Sequence, residues 1–355
     1  MTTVLQHLFF QSSDFVPGDY FLDFTAHFLV CTEHDCSKLV TTFTCKQNLS
    51  IFLKIINMKV LNTRAALGRS EFIEVEKNVR LHVTDFGEGR PVILIHGWPL
   101  SDAMFEYQYP ALIKNGYRPI GITLRGFGQS DKPYGRYDYD VFAEDIKVVM
   151  EDLRIENAVL GGFSFGGATV IRFATKYQNE HISKLALFGA AAPCEVRKAD
   201  FPYGLPIEIL NSLIELNSTN RPQLIEEFGK LFAATETALP NTISDWLAKI
   251  QFQSSQYAME QGLYMIKDSD LRADLDKISI PTAIFHGKLD KLCPFELAEQ
   301  LHKGIANSKL IAFENSGHAL FLEECQKFNY ELIKFIKEKS SVKDFAPTAT
   351  KEMAI

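Results

Sequence analysis

The chain has 355 residues, 46% of them hydrophobic, and a formal net charge of −7. That length suits one large globular α/β domain with additions, and the acidic balance argues against general nucleic-acid binding. No apolar run reaches the roughly 18 residues of a membrane span, and no Walker-type phosphate loop, H-E-x-x-H or C-x-x-C stretch occurs, so nucleotide and zinc chemistry lack support.

In chain order, the first 57 residues read differently from the rest. They hold Cys31, Cys36 and Cys45, half of the six cysteines, and no Lys or Arg before Lys38. A secretory signal would start with a basic stretch, and cysteines this scattered fit a reducing cytosol rather than a disulfide framework. A cytoplasmic location is therefore expected. The spacing of Cys31, His34 and Cys36 matches no common metal site. Either Met58 is expected to be the natural start, or residues 1–57 are expected to be a dispensable extension of unknown role.

From Phe72 the pattern is regular. Phe72–Val75 and Val79–Asp85 predict an antiparallel pair turning near Lys77-Asn78. Pro91–Ile95 is a continuous apolar strand that runs into His96-Gly97-Trp98-Pro99. Phe142, Ile146, Val149, Met150 and Leu153 recur at helical spacing. Asn157–Leu160 predicts a strand, Gly161-Gly162-Phe163-Ser164-Phe165-Gly166-Gly167 a tight turn, and Ala168–Tyr177 a helix. After a strand at Lys184–Gly189 the alternation breaks. Residues 194–280 are helical in pattern (Leu224, Ile225, Phe228, then Ile243, Trp246, Leu247) and predict a cap over the active site with a pocket for an apolar or aromatic acyl ester. Strands resume at Pro281–Gly287, leading to Asp290 and a helix from Pro294, and at Ser308–Phe313, leading to His318. A last amphipathic helix carries Phe328, Leu332, Phe335 and Ile336, and residues 340–355 form a polar tail expected to be flexible. Continuous apolar strands between one-faced helices imply a mostly parallel sheet covered on both faces, with its core in residues 58–193 and 281–339.

A lone serine hydroxyl is a poor nucleophile, and a strand-to-helix turn with glycines on both sides lifts it to where a base can reach it. Ser164, Asp290 and His318 follow in the order nucleophile, acid, base, each after its own strand and on the side of the sheet where α/β ligands bind. They are the candidate catalytic residues. In such a site the oxyanion donors are the N–H after the nucleophile, here Phe165, and one from the loop after the third strand, here Trp98, since Pro99 has no N–H. His96 precedes the serine and reads as a loop-shaping residue.

These motifs, with Leu124-Arg125-Gly126-Phe127-Gly128-Gln129-Ser130-Asp131, resemble the cofactor-free haloperoxidase and aryl-esterase branch of the α/β-hydrolases over roughly residues 58–339. The resemblance implies the α/β-hydrolase fold, with a mostly parallel eight-stranded sheet flanked by helices and a helical cap. It implies hydrolysis of small carboxylic esters without metal or other cofactor. It also implies a perhydrolase side reaction, in which hydrogen peroxide takes the acyl group and the peracid formed oxidises halide. A C–C lyase and a ligand receptor on the same fold are the further alternatives. The partner is a small-molecule ester or acyl substrate, with no nucleic acid and no membrane, and homo-oligomer formation is left open. Pro99 after the oxyanion tryptophan is a mark of strong perhydrolysis in this branch. Two positions depart from the family pattern. Thr123 replaces the usual Asp of the loop, so loop packing, though not catalysis, is expected to differ. Phe165 replaces a frequent Met, and with Trp98 is expected to contact substrate and to narrow the acyl pocket.

Overall fold

Runs of Val, Ile and Leu bounded by Gly and Pro turns become the strands of the computed structural model, which describes residues 69–338 and two short earlier strands. The chain divides into two units, Met1–Thr63 and Arg64–Ile355. In the first, β1 (Thr25–Leu29) and β2 (Val40–Thr44) pair antiparallel, Thr25 opposite Thr44. The expected start at Met58, the Cys31–His34–Cys36 spacing and the 340–355 tail lie outside the described residues.

The second unit carries an eight-stranded sheet. Its strands are β3 (Arg69–Glu76), β4 (Val79–Asp85), β5 (Arg90–Ile95), β6 (Tyr117–Ile122), β7 (Ala158–Phe163), β8 (Ile182–Phe188), β9 (Thr282–Gly287) and β10 (Ser308–Phe313). They lie in the order β10-β9-β8-β7-β5-β6-β4-β3. All neighbours from β10 to β6 are parallel, and β4 and β3 close one edge antiparallel. The interior strands β7 and β9 are buried at every position, as continuous apolar runs in a sheet covered on both faces must be. From β5 the chain steps outward to β6 and then returns to place β7 on the other side of β5. The crevice at the carboxyl ends of β5 and β7 is thus a topological switch point, where ligands of open α/β sheets bind.

The covering helices are α1 (Tyr109–Lys114), α2 (Tyr139–Asp152) and α3 (Phe165–Lys176) before β8. Asp138 caps α2 by accepting the Val141 N–H at 2.8 Å, which satisfies one of the orphan donors of the first turn. Between β8 and β9 stand α4 (Ile207–Thr219), α5 (Arg221–Phe232), α6 (Asn241–Phe252) and α7 (Gln256–Asp268); α8 (Phe295–Gly304), α9 (Leu320–Glu323) and α10 (Cys325–Lys337) follow. Among the described residues no helix is long and apolar enough to cross a membrane.

One buried cation fastens the last helix. Lys184, on β8 and 2% exposed, donates through Nζ to the carbonyls of Phe335 (2.6 Å), Ile336 (3.3 Å) and Glu338. These are carbonyls that the end of α10 leaves without helical partners, and a positive charge there suits the helix dipole. Lys184→Met keeps the stem but removes the donor. It is expected to cost about 2–3 kcal/mol, read as a lower midpoint in urea unfolding; an unchanged midpoint would refute the role.

The Thr123 departure is repaired from elsewhere. Asp102, in the segment after β5, is buried and accepts a short hydrogen bond from Thr123 Oγ1. It also accepts from Tyr109 Oη at 3.2 Å and lies 3.4 Å from His82 Nδ1. Burial pushes its carboxyl up, but the hydrogen bonds from His82, Thr123 and Thr84 prevail and hold it below the ordinary carboxylate range. A carboxylate therefore still braces this loop, contributed by a residue 21 positions upstream of Thr123.

Candidate active site

Ser164 closes β7 and opens α3 with φ 52° and ψ −115°, a backbone state that a residue with a Cβ adopts only when its surroundings impose it. They do so here by close approach. A Cβ on Gly162 would lie 2.2 Å from the Gly166 carbonyl oxygen, and one on Gly166 would lie 2.5 Å from the carbonyl oxygens of Ile95 and His96. The serine's own backbone is pinned as well: its N–H donates to the Phe188 carbonyl (2.8 Å), and its carbonyl accepts from Gly167 (2.8 Å) and Ala191 (3.0 Å).

Asp290 follows β9. Its Oδ1 accepts two backbone N–H groups, from Leu292 (2.9 Å) and Cys293 (2.8 Å). Oδ2 is left to meet His318 Nδ1 at 2.7 Å. His318 follows β10 and is 1% exposed. The Phe163 ring packs 4.7 Å from its imidazole, and Phe232, at the end of α5, packs edge-on at 5.5 Å. Its loop is held by two acids that sequence reading passed over. Glu324 accepts from Ser316 Oγ at 2.6 Å, and Glu323 accepts from both Gly317 N (2.8 Å) and Ala234 N (2.8 Å). Acid spacing just after a candidate base was the only signal for them.

The loop after β5 completes the site. A Cβ on Gly97 would sit 2.6 Å from the Phe163 ring and 3.1 Å from Ser164 Cβ, so glycine brings this turn against the serine. The Phe165 N–H is the first of α3 and has no acceptor one turn back, and the positive end of the helix dipole lies there. Trp98 is anchored to α7 by Nε1 donating to the Met259 carbonyl at 2.9 Å, and to α5 by an edge-on contact with Phe228 at 5.2 Å.

His96 lies within this loop, fully buried. Its Nε2 accepts the Leu124 N–H at 3.0 Å, so Nδ1 carries the proton and donates to the Gly97 carbonyl at 2.9 Å. Burial pulls its pKa from 6.5 to about 4, against the smaller upward pulls of the Gly97 carbonyl and Asp102. Between those two values the unfolded chain binds a proton here that the folded chain refuses. Stability should therefore fall as pH falls through that window, by about 1.4 kcal/mol per pH unit. Burial lowers His286 in the same direction. Urea unfolding from pH 7 to 4 should show a slope that His96→Gln reduces by about that amount; an identical slope in both proteins would exclude the effect.

Ser164, His318 and Trp98 line one cavity of about 40 Å³, walled by apolar side chains such as Leu210, Leu263 and Leu292. An enclosed apolar cavity of roughly 150 Å³ takes a benzene ring; the space here, about 40 Å³, is that of a short acyl chain and its walls are apolar, as the sequence leads one to expect. Phe165 departs from expectation. Its ring is not part of the cavity wall and packs instead against Tyr139 (5.3 Å) and Phe142 (5.6 Å). The ring is buried between α2 and α7, where a Cβ on Gly262 would lie 3.8 Å from its tip. A larger cavity, about 310 Å³, lies by Glu76, Arg125 and Asp145. Its Arg125 is spent on Asp145 (2.7 and 2.6 Å) and Glu76 (2.9 Å).

A parallel sheet with this strand order, a serine on a strained strand-to-helix turn and a buried histidine–aspartate pair after the last two strands define an α/β-hydrolase. The family described as alpha/beta hydrolase fold matches residues 90–324, and the chain belongs to it, in the branch of esterases and non-haem haloperoxidases. The AB hydrolase superfamily protein YisY of Bacillus subtilis is 41% identical over 264 residues, covering 74% of this chain and 98% of its own. Among solved structures, an esterase from Exiguobacterium antarcticum is 39% identical with a TM-score of 0.74, covering 76% of this chain and 100% of its own. A bromoperoxidase from Bacillus anthracis is 33% identical with the same TM-score and coverage.

Proposed function

We propose that the protein hydrolyses short-chain carboxylic esters through an acyl-enzyme on Ser164. Ser164 Oγ attacks the ester carbonyl carbon, His318 takes its proton and returns it to the leaving alcohol, and Asp290 keeps the imidazole proton on Nδ1 and stabilises the imidazolium. The N–H groups of Trp98 and Phe165 receive the developing oxyanion. Water, deprotonated by His318, then releases the acid. The observation that carries this reading is that Ser164 and His318, the latter paired with Asp290 at 2.7 Å, line one cavity with mostly apolar walls. The proteins named esterase and bromoperoxidase are consistent with it.

A second reading is favoured by Pro99. Its ring fixes φ beside the oxyanion loop, which directs the preceding carbonyl toward an attacking peroxide. Hydrogen peroxide would then replace water at the acyl-serine. The peracid released oxidises halide to hypohalous acid and is itself reduced to the carboxylic acid. A serine-directed fluorophosphonate tests the shared step. It should abolish p-nitrophenyl acetate turnover and be found by mass spectrometry on Ser164; labelling of another serine, or turnover that survives labelling, would overturn the mechanism. Monochlorodimedone bromination with acetate, peroxide and bromide tests the second reading, which a rate no higher than that of the labelled protein would eliminate.

A further inference from the structure

The cavity wall contains one acid that the proposed mechanism does not use. Glu195 follows β8 and is held by its backbone, its carbonyl accepting the Leu205 N–H at 2.8 Å. Its side chain lines the same cavity as Ser164 and His318. The residue is 3% exposed, and its Oε2 is buried with no hydrogen-bond partner in the protein. The titratable groups that face it are the Asp290 carboxylate, the Cys293 thiol and the Tyr139 hydroxyl, none of them a cation. Burial first, and then the charge of Asp290, hold its carboxyl well above the usual range, which favours the protonated form, with one O–H donor and free acceptor capacity. The Cys293 thiol touches both Glu195 and Ser164. One side chain's width thus separates this carboxyl from the nucleophile.

A buried polar atom without a partner is uncommon and calls for a reason, and in an otherwise apolar wall a bound polar group supplies one. We propose that Glu195 is a specificity-determining residue that hydrogen-bonds a hydroxyl or keto oxygen on a short acyl chain, so that esters of small hydroxy or oxo acids are the preferred substrates. This rests on the serine-hydrolase reading above. In the acyl-enzyme only the acyl chain remains in the site. A cavity of about 40 Å³ has room for a few heavy atoms beyond the carbonyl, and this puts the oxygen on the second or third carbon. Without that oxygen the site's own donor stays unpaired, which is how a polar pocket rejects an analogue lacking the matching group.

Paired esters of equal length give the test: ethyl 3-hydroxybutyrate against ethyl butyrate. The wild-type kcat/KM ratio should favour the hydroxy ester about tenfold, the scale of one well-made hydrogen bond. Glu195→Gln should keep part of that ratio, and Glu195→Leu should bring it to about one or below, with thermal unfolding confirming that each variant is folded. A wild-type ratio near one, or a tenfold ratio that survives in Glu195→Leu, would overturn the proposal while leaving Ser164-dependent hydrolysis intact. A preference for ethyl 3-aminobutyrate over both esters would mean an ionised Glu195 and would overturn it too. If neither ester is turned over, the hydrolase reading fails first, and calorimetric binding of the two esters to Ser164→Ala still decides. The hydroxy ester should bind about tenfold tighter there, and equal binding would end the proposal.

Discussion

Ser164→Ala is expected to lower kcat for p-nitrophenyl acetate by roughly 10⁴- to 10⁶-fold, leaving a residue of activity from the oxyanion donors and the cavity. The variant should stay folded. The strain at φ 52°, ψ −115° is imposed by the close approach of Gly162, Gly166 and the β5 loop, none of which needs the hydroxyl. KM should change little, since Oγ forms its bond in the transition state and not before it. Steady-state kinetics beside a circular dichroism spectrum give the check. Turnover within tenfold of wild type would mean that another group is the nucleophile.

The second large effect is expected from Asp290→Asn, about 10³- to 10⁴-fold in kcat. Its physical basis is the pinning of one oxygen. Oδ1 accepts the Leu292 and Cys293 N–H groups, so an asparagine must turn its carbonyl toward those two donors. Its NH₂ then faces His318 Nδ1, where the carboxylate accepts at 2.7 Å. Nδ1 must accept in turn, and the imidazole proton moves to Nε2, the nitrogen that has to receive the serine's proton. The base is present but in the wrong tautomer. Raising the pH should recover activity, because hydroxide can then do the work of the base; a flat low rate from pH 7 to 10 would argue against the tautomer account. Asp290→Ala, which imposes no tautomer, should be the less pH-dependent of the two.

Much of the fold is legible because the central strands are buried on both faces and so carry apolar runs: Val92–Ile95 in β5, Ala158–Leu160 in β7, Leu185–Phe188 in β8 and Ala283–Phe285 in β9. Asp290 and His318 are legible for a related reason, as polar residues a few positions past a strand. The strand β6 is not legible. Arg118, Pro119 and Gly121 interrupt its pattern, and it exists because β5 and β4 flank it and Arg118 finds Asp85 at 2.9 and 2.5 Å. Nor is Glu195. An acid beside Cys194 and Pro193 reads as surface, and only the folding of α4 and α7 above the sheet encloses it. The exchange of a loop carboxylate from the position of Thr123 to Asp102 was hidden as well, since it depends on two segments that meet only in three dimensions. The direction of the Phe165 ring was missed because the backbone role of that residue is fixed by position in the motif, whereas its side chain answers to α2.

The connection between the His318 loop and the end of α5 has a mechanical consequence. Two hydrogen bonds join them, Ala319 N to the Phe232 carbonyl at 2.7 Å and Ala234 N to Glu323 at 2.8 Å, and Glu323 also accepts from Gly317 N at 2.8 Å. The Phe232 ring adds a contact with the imidazole. This end of the helical layer is expected to act as a fixed hinge, since displacing it would also displace His318. Any breathing of this layer is therefore expected to pivot about residues 232–234. In hydrogen exchange the amides of Ala234, Gly317 and Ala319 should open together, and later than those of α4; earlier or independent opening would show that the hinge is not there.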